Sequence, residues 1–213
     1  MENNERQLEA IRDIRKMMKE SSRFLSLSGL SGILAGVFAL SGAWLGHLAI
    51  RDYYSAFPAV SNGAIQAYDL LVVKIASICL AVLLLSISSA FYLSGAKARK
   101  KNLKLIDHTS KKLIWSMAVP LVAGGIFCIA LSLHGNGYLL LVCPAMLIFY
   151  GLALVSGSRF TPDDVKYLGY LEITLGLAAS FFRGHDLLFW SLGFGALHII
   201  YGSIMWFKYD RNL

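Results

Sequence analysis

Glu172 and His198 are the residues most able to do chemistry in this sequence, because each lies where a polar side chain has no water to reach. Glu172 falls inside the apolar run Val165 to Phe182, and His198 inside the run Leu187 to Phe207. An ionised acid at mid-membrane costs roughly 2.5 kcal/mol or more, so Glu172 is expected to face protein. Gly169 and Gly176 stand three before and four after it, and Gly195 and Gly202 flank His198 in the same way. On a helix these positions share a face, so each residue sits in a small-residue stripe that a neighbouring helix can approach. The two runs join at Arg183-Gly184-His185-Asp186, and Glu172 and His198 are equally far along the chain from His185. At about 1.5 Å of rise per residue they reach similar depth. A carboxylate and an imidazole meeting there make either a hydrogen bond that locks the hairpin or a site that exchanges protons during transport. Two residues do not make a pathway, so the lock is the simpler reading. Tyr150, Tyr170 and Tyr201 could extend the network, though nothing in the sequence places them in it.

The elements that must position this pair are apolar runs of spanning length. A helix needs about 20 such residues to cross a ~30 Å hydrocarbon core. Six runs qualify within 213 residues: 24–50, 70–95, 113–133, 138–157, 165–182 and 187–207. Composition agrees, with 56% hydrophobic and 15% charged residues against about 25% charged in soluble proteins. The expected fold is therefore all-α, an integral membrane bundle of six transmembrane helices preceded by an amphipathic helix over residues 1–22. Residues 209–213 read as a short tail. Basic residues concentrate in the N-terminal arm, in the second connection (Lys97, Arg99, Lys100, Lys101, Lys104, Lys111 and Lys112), in the fourth connection (Arg159 and Lys166) and after the last run. By the positive-inside bias both termini are cytoplasmic. The first run is too long for a signal-peptide core and follows a polar arm, so it reads as a retained span.

Leu8, Ile11, Ile14 and Met18 give the N-terminal arm one apolar stripe, which a protein contact or the cytoplasmic leaflet must cover. Ser28, Gly32 and Gly36 recur at intervals of four in the first run. Such spacing permits close helix packing in lipid, more simply within one chain than between two. Tyr53, Tyr54, Phe57 and Tyr68 suit an outer head-group layer, with Trp44 and Trp190 near the outer ends and Trp115 and Trp206 near the inner ends. Lys74 is expected to snorkel to the surface or pair with Asp69. Thr161-Pro162-Asp163-Asp164 reads as a helix start, with Thr161 as N-cap and Pro162 at the first helical position. Pro120 and Pro144 are expected to kink the third and fourth spans.

Several chemistries lack support. The net charge of +7 is mainly a topology signal, and no nucleic-acid partner is expected, although Lys97, Arg99, Lys100, Lys101 and Lys104 suit anionic lipid head groups. Cys79, Cys128 and Cys143 all lie within runs, without zinc-site spacing, and read as separate thiols. His47, His134 and His185 fall at outer ends of runs, but no pair has the spacing that makes one helix face a ligand, so neither metal nor cofactor is expected. There is no Gly-x-Ser-x-Gly elbow and no phosphate-binding glycine loop, which leaves an enzyme as the third choice.

Three stretches carry a resemblance: Ser22 to Gly32, Leu147 to Leu154, and Gly193 to Gly202. Across most of its length the chain resembles small six-span inner-membrane proteins of Bacteroidetes-type bacteria. The resemblance implies a multi-pass protein of the bacterial cytoplasmic membrane and brings with it no activity and no site residue. Two functions then compete. One is a small solute or ion carrier or channel, proton-linked through Glu172 and His198. The other is a non-catalytic interaction or regulatory subunit that docks a cytoplasmic partner, or a second copy of itself, through the N-terminal helix and the basic second connection.

Overall fold

A computed structural model of the chain describes residue 11 and residues 28–56, 64–100, 108–134 and 136–211. The expected amphipathic helix over 1–22 lies outside these, as do Lys101 and Lys104. The described chain is helical throughout, with six helices: α1 (Gly29–Ala56), α2 (Ala64–Lys100), α3 (His108–Leu133), α4 (Val142–Gly157), α5 (Asp164–Ala179) and α6 (Asp186–Asp210). Short 3-10 turns precede and follow α4. Five helices are long and apolar enough to cross a membrane: α1, α2, α3, α6, and α4 taken with its 3-10 turns. The outward faces suit that solvent. Leu83, Leu84, Leu85, Phe91, Val122, Ile126 and Ile129 all lie exposed on α2 and α3, a pattern that water would penalise and lipid accepts.

Glycine contacts set the order of packing. A Cβ at Gly36 would stand 2.7 Å from the Gly195 carbonyl oxygen, and one at Gly202 would stand 2.7 Å from that of Gly29. Residue numbers rise on α1 as they fall on α6, so the two run antiparallel with their backbones in contact. Gly32 completes the seam against the Gly202 Cα. The stripe of Ser28, Gly32 and Gly36 thus packs within the chain, as do Gly195 and Gly202. A second seam joins α4 to α5, where a Cβ at Gly151 would lie 2.7 Å from the Gly169 carbonyl oxygen and one at Gly176 2.9 Å from that of Pro144. Backbone approach of this kind replaces the hydrophobic drive that helices lack in lipid. α2 packs chiefly on α1, and α3 chiefly on α4.

Several boundaries differ from expectation. Arg51–Ala56 continues α1 and Ala64–Asp69 begins α2, so much of the expected aromatic loop is helix; its centre lies outside the described residues. Thr161 is extended rather than a cap, and α5 starts at Asp164 without a side-chain cap. Pro144 occupies the first turn of α4, where a missing N–H costs no helical hydrogen bond, so it is not an interior kink. Trp190 is partly buried and donates to the Ala39 carbonyl at 3.3 Å. α6 runs through Asp210, so the expected tail begins as helix at Tyr209 and Asp210.

The last turn of α6 is also fastened on both sides. The Asp210 carboxylate accepts from the Gly29 N–H at 2.8 Å, from the Ser28 hydroxyl at 3.2 Å and from Lys97 Nζ at 2.5 Å. It caps α1 from across the fold, meeting the donors that a helix start leaves open. Lys97, expected to meet lipid, is buried in this pair, while Arg99 and Lys100 stay exposed. On the other side Asp164 accepts from Lys208 at 2.9 Å and from the Tyr209 hydroxyl at 2.8 Å.

The two clasps should differ in worth. Asp210→Ala removes the carboxylate that pairs with a buried ammonium and caps α1, and is expected to cost about 3 kcal/mol, whereas Lys208→Ala breaks an exposed pair and should cost under ~1 kcal/mol; thermal unfolding in mild detergent reads both. Asp164 adds a pH signature. Burial pushes its carboxyl up, but hydrogen bonds from Lys208 and Tyr209 outweigh that and hold it below the usual carboxylate range. A depressed folded value means that its contribution is present above the unfolded value near pH ~4 and is lost as pH falls through the folded one. Asp164→Asn should therefore flatten the acid-side fall of the midpoint while leaving the shape near neutrality unchanged.

Candidate functional site

Three helices meet at the buried acid. α5 contributes Glu172, which is 0% exposed, α6 contributes His198 at 6%, and α4 contributes Tyr150. His198 Nδ1 lies 3.5 Å from Glu172 Oε1, so the expected pair is brought together. The closer partner of Nδ1 is the Gly193 carbonyl oxygen at 3.0 Å. A carbonyl only accepts, so Nδ1 carries a proton and donates to it. On the other edge of the ring, Nε2 stands 2.7 Å from the Tyr150 hydroxyl. With a neutral imidazole that hydroxyl donates to Nε2.

The local backbone makes room for this. Ser191–Leu197 adopts the wider turns of a π-helix, a form that in most helices appears only as a single bulge. Gly193 lies within it, and a Cβ there would stand 2.7 Å from Glu172 Oε2. The acid therefore rests against bare backbone. Among the described residues neither carboxylate oxygen of Glu172 has a hydrogen-bond partner, and the buried Tyr201 hydroxyl has none either. Buried polar atoms are nearly always satisfied, so an orphaned acid beside a donor committed elsewhere is an unusual arrangement. Aromatic rings seal the site from the Asp186 end of α6. Tyr150 packs 5.3 Å from Phe194, and Phe194 packs 4.7 Å from Trp190.

Tyr150 joins the site as the sequence allowed. Tyr170 does not, being exposed with Lys166 over its ring. What sequence reasoning missed is Gly193, because a glycine five residues before a histidine matters only once the helix widens. The remaining candidates lie apart. His134 and His185 each bond to a nearby backbone carbonyl, and His47 packs on Trp44. Among the described residues no three metal-ligating side chains gather. The three thiols are free, with Cys143 donating to the Asp186 carbonyl at 3.2 Å. Lys74 is exposed and lines a small surface hollow with Asp52 and Tyr53. Comparison with protein-family models, curated proteins and solved structures finds no match to this chain.

Tyr150→Phe removes the side-chain partner of His198 Nε2 and leaves a buried acceptor bare. The expected loss is about 1–3 kcal/mol of stability. Tyr170→Phe, which keeps an exposed ring and its cation contact, should leave the midpoint unchanged in the same measurement.

Proposed function

We propose that this protein is a small proton-linked carrier of the bacterial cytoplasmic membrane, with Glu172 as the group that takes up and releases the proton. Six helices cross the bilayer in this reading, with both termini in the cytoplasm. α5 has 16 residues and spans about 24 Å, and its antiparallel seam with α4 supports counting it as the sixth crossing. The clustering of Lys97, Arg99, Lys100, Lys111, Lys112, Arg159, Lys166 and Lys208 toward one end supports the orientation.

The observation that carries the reading is the unsatisfied carboxylate. A structural lock should have its hydrogen bonds made, since breaking and leaving them unmade is what burial penalises. Glu172 instead faces a donor that is already used. The Nδ1–H of His198 donates to Gly193 O at 3.0 Å, with Glu172 Oε1 standing unbonded 3.5 Å from the same nitrogen. While Glu172 is protonated the carbonyl is the nearer acceptor and holds the imidazole. Once it ionises, the carboxylate is the stronger acceptor and draws Nδ1–H away from Gly193. The π segment then loses a bond that fastens it. Proton release is thereby coupled to the shape of α6, which is the coupling that a carrier requires.

Proton flux into proteoliposomes, followed with an enclosed pH-sensitive dye under a valinomycin-clamped potential, tests this. Wild-type protein should carry protons. Glu172→Gln, which keeps the shape of the side chain, should remove the flux while shifting the thermal midpoint little. Flux no higher than in protein-free vesicles overturns the reading, and collapse of the fold in Glu172→Gln returns the pair to a structural lock.

A further inference from the structure

A large opening among the described residues lies at the end opposite the Asp210 clasp. It is a cleft of about 460 Å3 bounded by α1, α2, the turn before α4, and the start of α6. That volume falls within the ~300–1,000 Å3 typical of small-molecule sites. α2 packs chiefly on α1 and α3 chiefly on α4, and the cleft lies between these two pairs. Its walls are apolar, with Gly46 leaving space on the α1 side while Gly42 packs against Val82. One acid lines it. Asp186 is partly buried at the mouth, and its carboxylate meets its own backbone N–H and the neighbouring His185 but no lysine or arginine among the described residues.

An acid left without a cation beside an apolar cavity is complementary to a molecule that brings its own positive charge and an apolar body. Tyr68 and Trp190 also line the cleft, and aromatic faces favour organic cations over compact, strongly hydrated ones. We infer that this cleft binds an amphipathic organic cation, its apolar body between the α1–α2 pair and the start of α4 and its charge beside Asp186. The site adjoins the proton site without merging with it. Trp190 forms the cleft wall, Phe194 stacks on Trp190 at 4.7 Å, and Phe194 reaches His198 at 6.2 Å. A bound body that displaces Trp190 therefore acts on the π segment that holds His198. The inference deepens the carrier reading and rests on it for the view of the bound cation as cargo.

Binding of tetraphenylphosphonium to the full chain in phosphatidylcholine nanodiscs tests the site, with tetraphenylborate as an anion of the same shape and empty nanodiscs subtracted. Saturable binding of the cation and not the anion is expected. Asp186→Asn should weaken it at least ~10-fold, and Asp186→Glu should restore most of it. Gly46→Leu should abolish it: a Cβ there makes only ordinary contacts with Leu187 at 3.4 Å and Ile75 at 3.6 Å, so the rest of the side chain occupies the cleft. Absent saturable binding, equal binding of both ions, or equal affinity in wild type and Asp186→Asn overturns the inference. If the cation binds but no proton flux is found, the carrier reading falls and the site stands; if flux is found without binding, the reverse holds.

Discussion

Contact between helix backbones at glycine is the constraint on which the rest of this structure depends. In lipid, two helices gain little by hiding apolar side chains from a solvent that is itself apolar, so association rests on close packing and on the few polar bonds that approach makes possible. Two seams supply it. Gly29, Gly32 and Gly36 bring α1 against Gly195 and Gly202 of α6, and Gly151, Gly169 and Gly176 bring α4 against α5. Tyr150, Glu172 and His198 lie on the helices so fixed. Larger side chains at the seams would move α6 and α5 outward, and a 2.7 Å hydrogen bond between Tyr150 and His198 does not survive a shift of an ångström.

The two ends of the bundle are built differently. At the basic end Asp210 and Asp164 tie the last turn of α6 to the starts of α1 and α5 and, through Lys97, to α2. At the other end α6 begins beside an open cleft, and its first polar contacts are the thiol of Cys143 and the indole bond of Trp190 to Ala39. α6 is thus anchored at one end and lightly held at the other, with a π segment between them. That arrangement suits a helix that moves by its far half while the charged end stays closed. Carriers expose a site to one side at a time, and a clasped end opposite an open one is the minimum geometry for it.

The sequence made much of this legible, for identifiable reasons. Apolar run length revealed five long helices, because the thickness of a bilayer sets a minimum that few soluble segments meet. Equal distance from the Arg183–Asp186 turn placed Glu172 and His198 at similar depth, since depth in a helical hairpin follows directly from count, but not whether they meet. Other features depend on contacts that no local pattern encodes. Asp210 reads as a tail residue until α1 begins beside it. Lys97 looks like one more basic loop residue until that acid turns it inward. Trp190 has the composition of a belt residue, but α6 faces it toward Ala39. Thr161-Pro162 has the chemistry of a cap, yet the chain stays extended at Thr161 and the helix opens at Asp164.

The geometry around His198 shows why an apparently poor arrangement is worth keeping. A fully satisfied Glu172 would be more stable and would hold its proton state against change, because each hydrogen bond to the carboxylate lowers the free energy of one form alone. Leaving the carboxylate beside Gly193, with the imidazole proton committed 3.0 Å away and the carboxylate 3.5 Å away, keeps two bonding patterns close in energy. A glycine at 193 is needed for this, since any side chain would push the acid off the backbone. Stability lost at one acid is offset by the seams and the clasped end, which hold the frame around it.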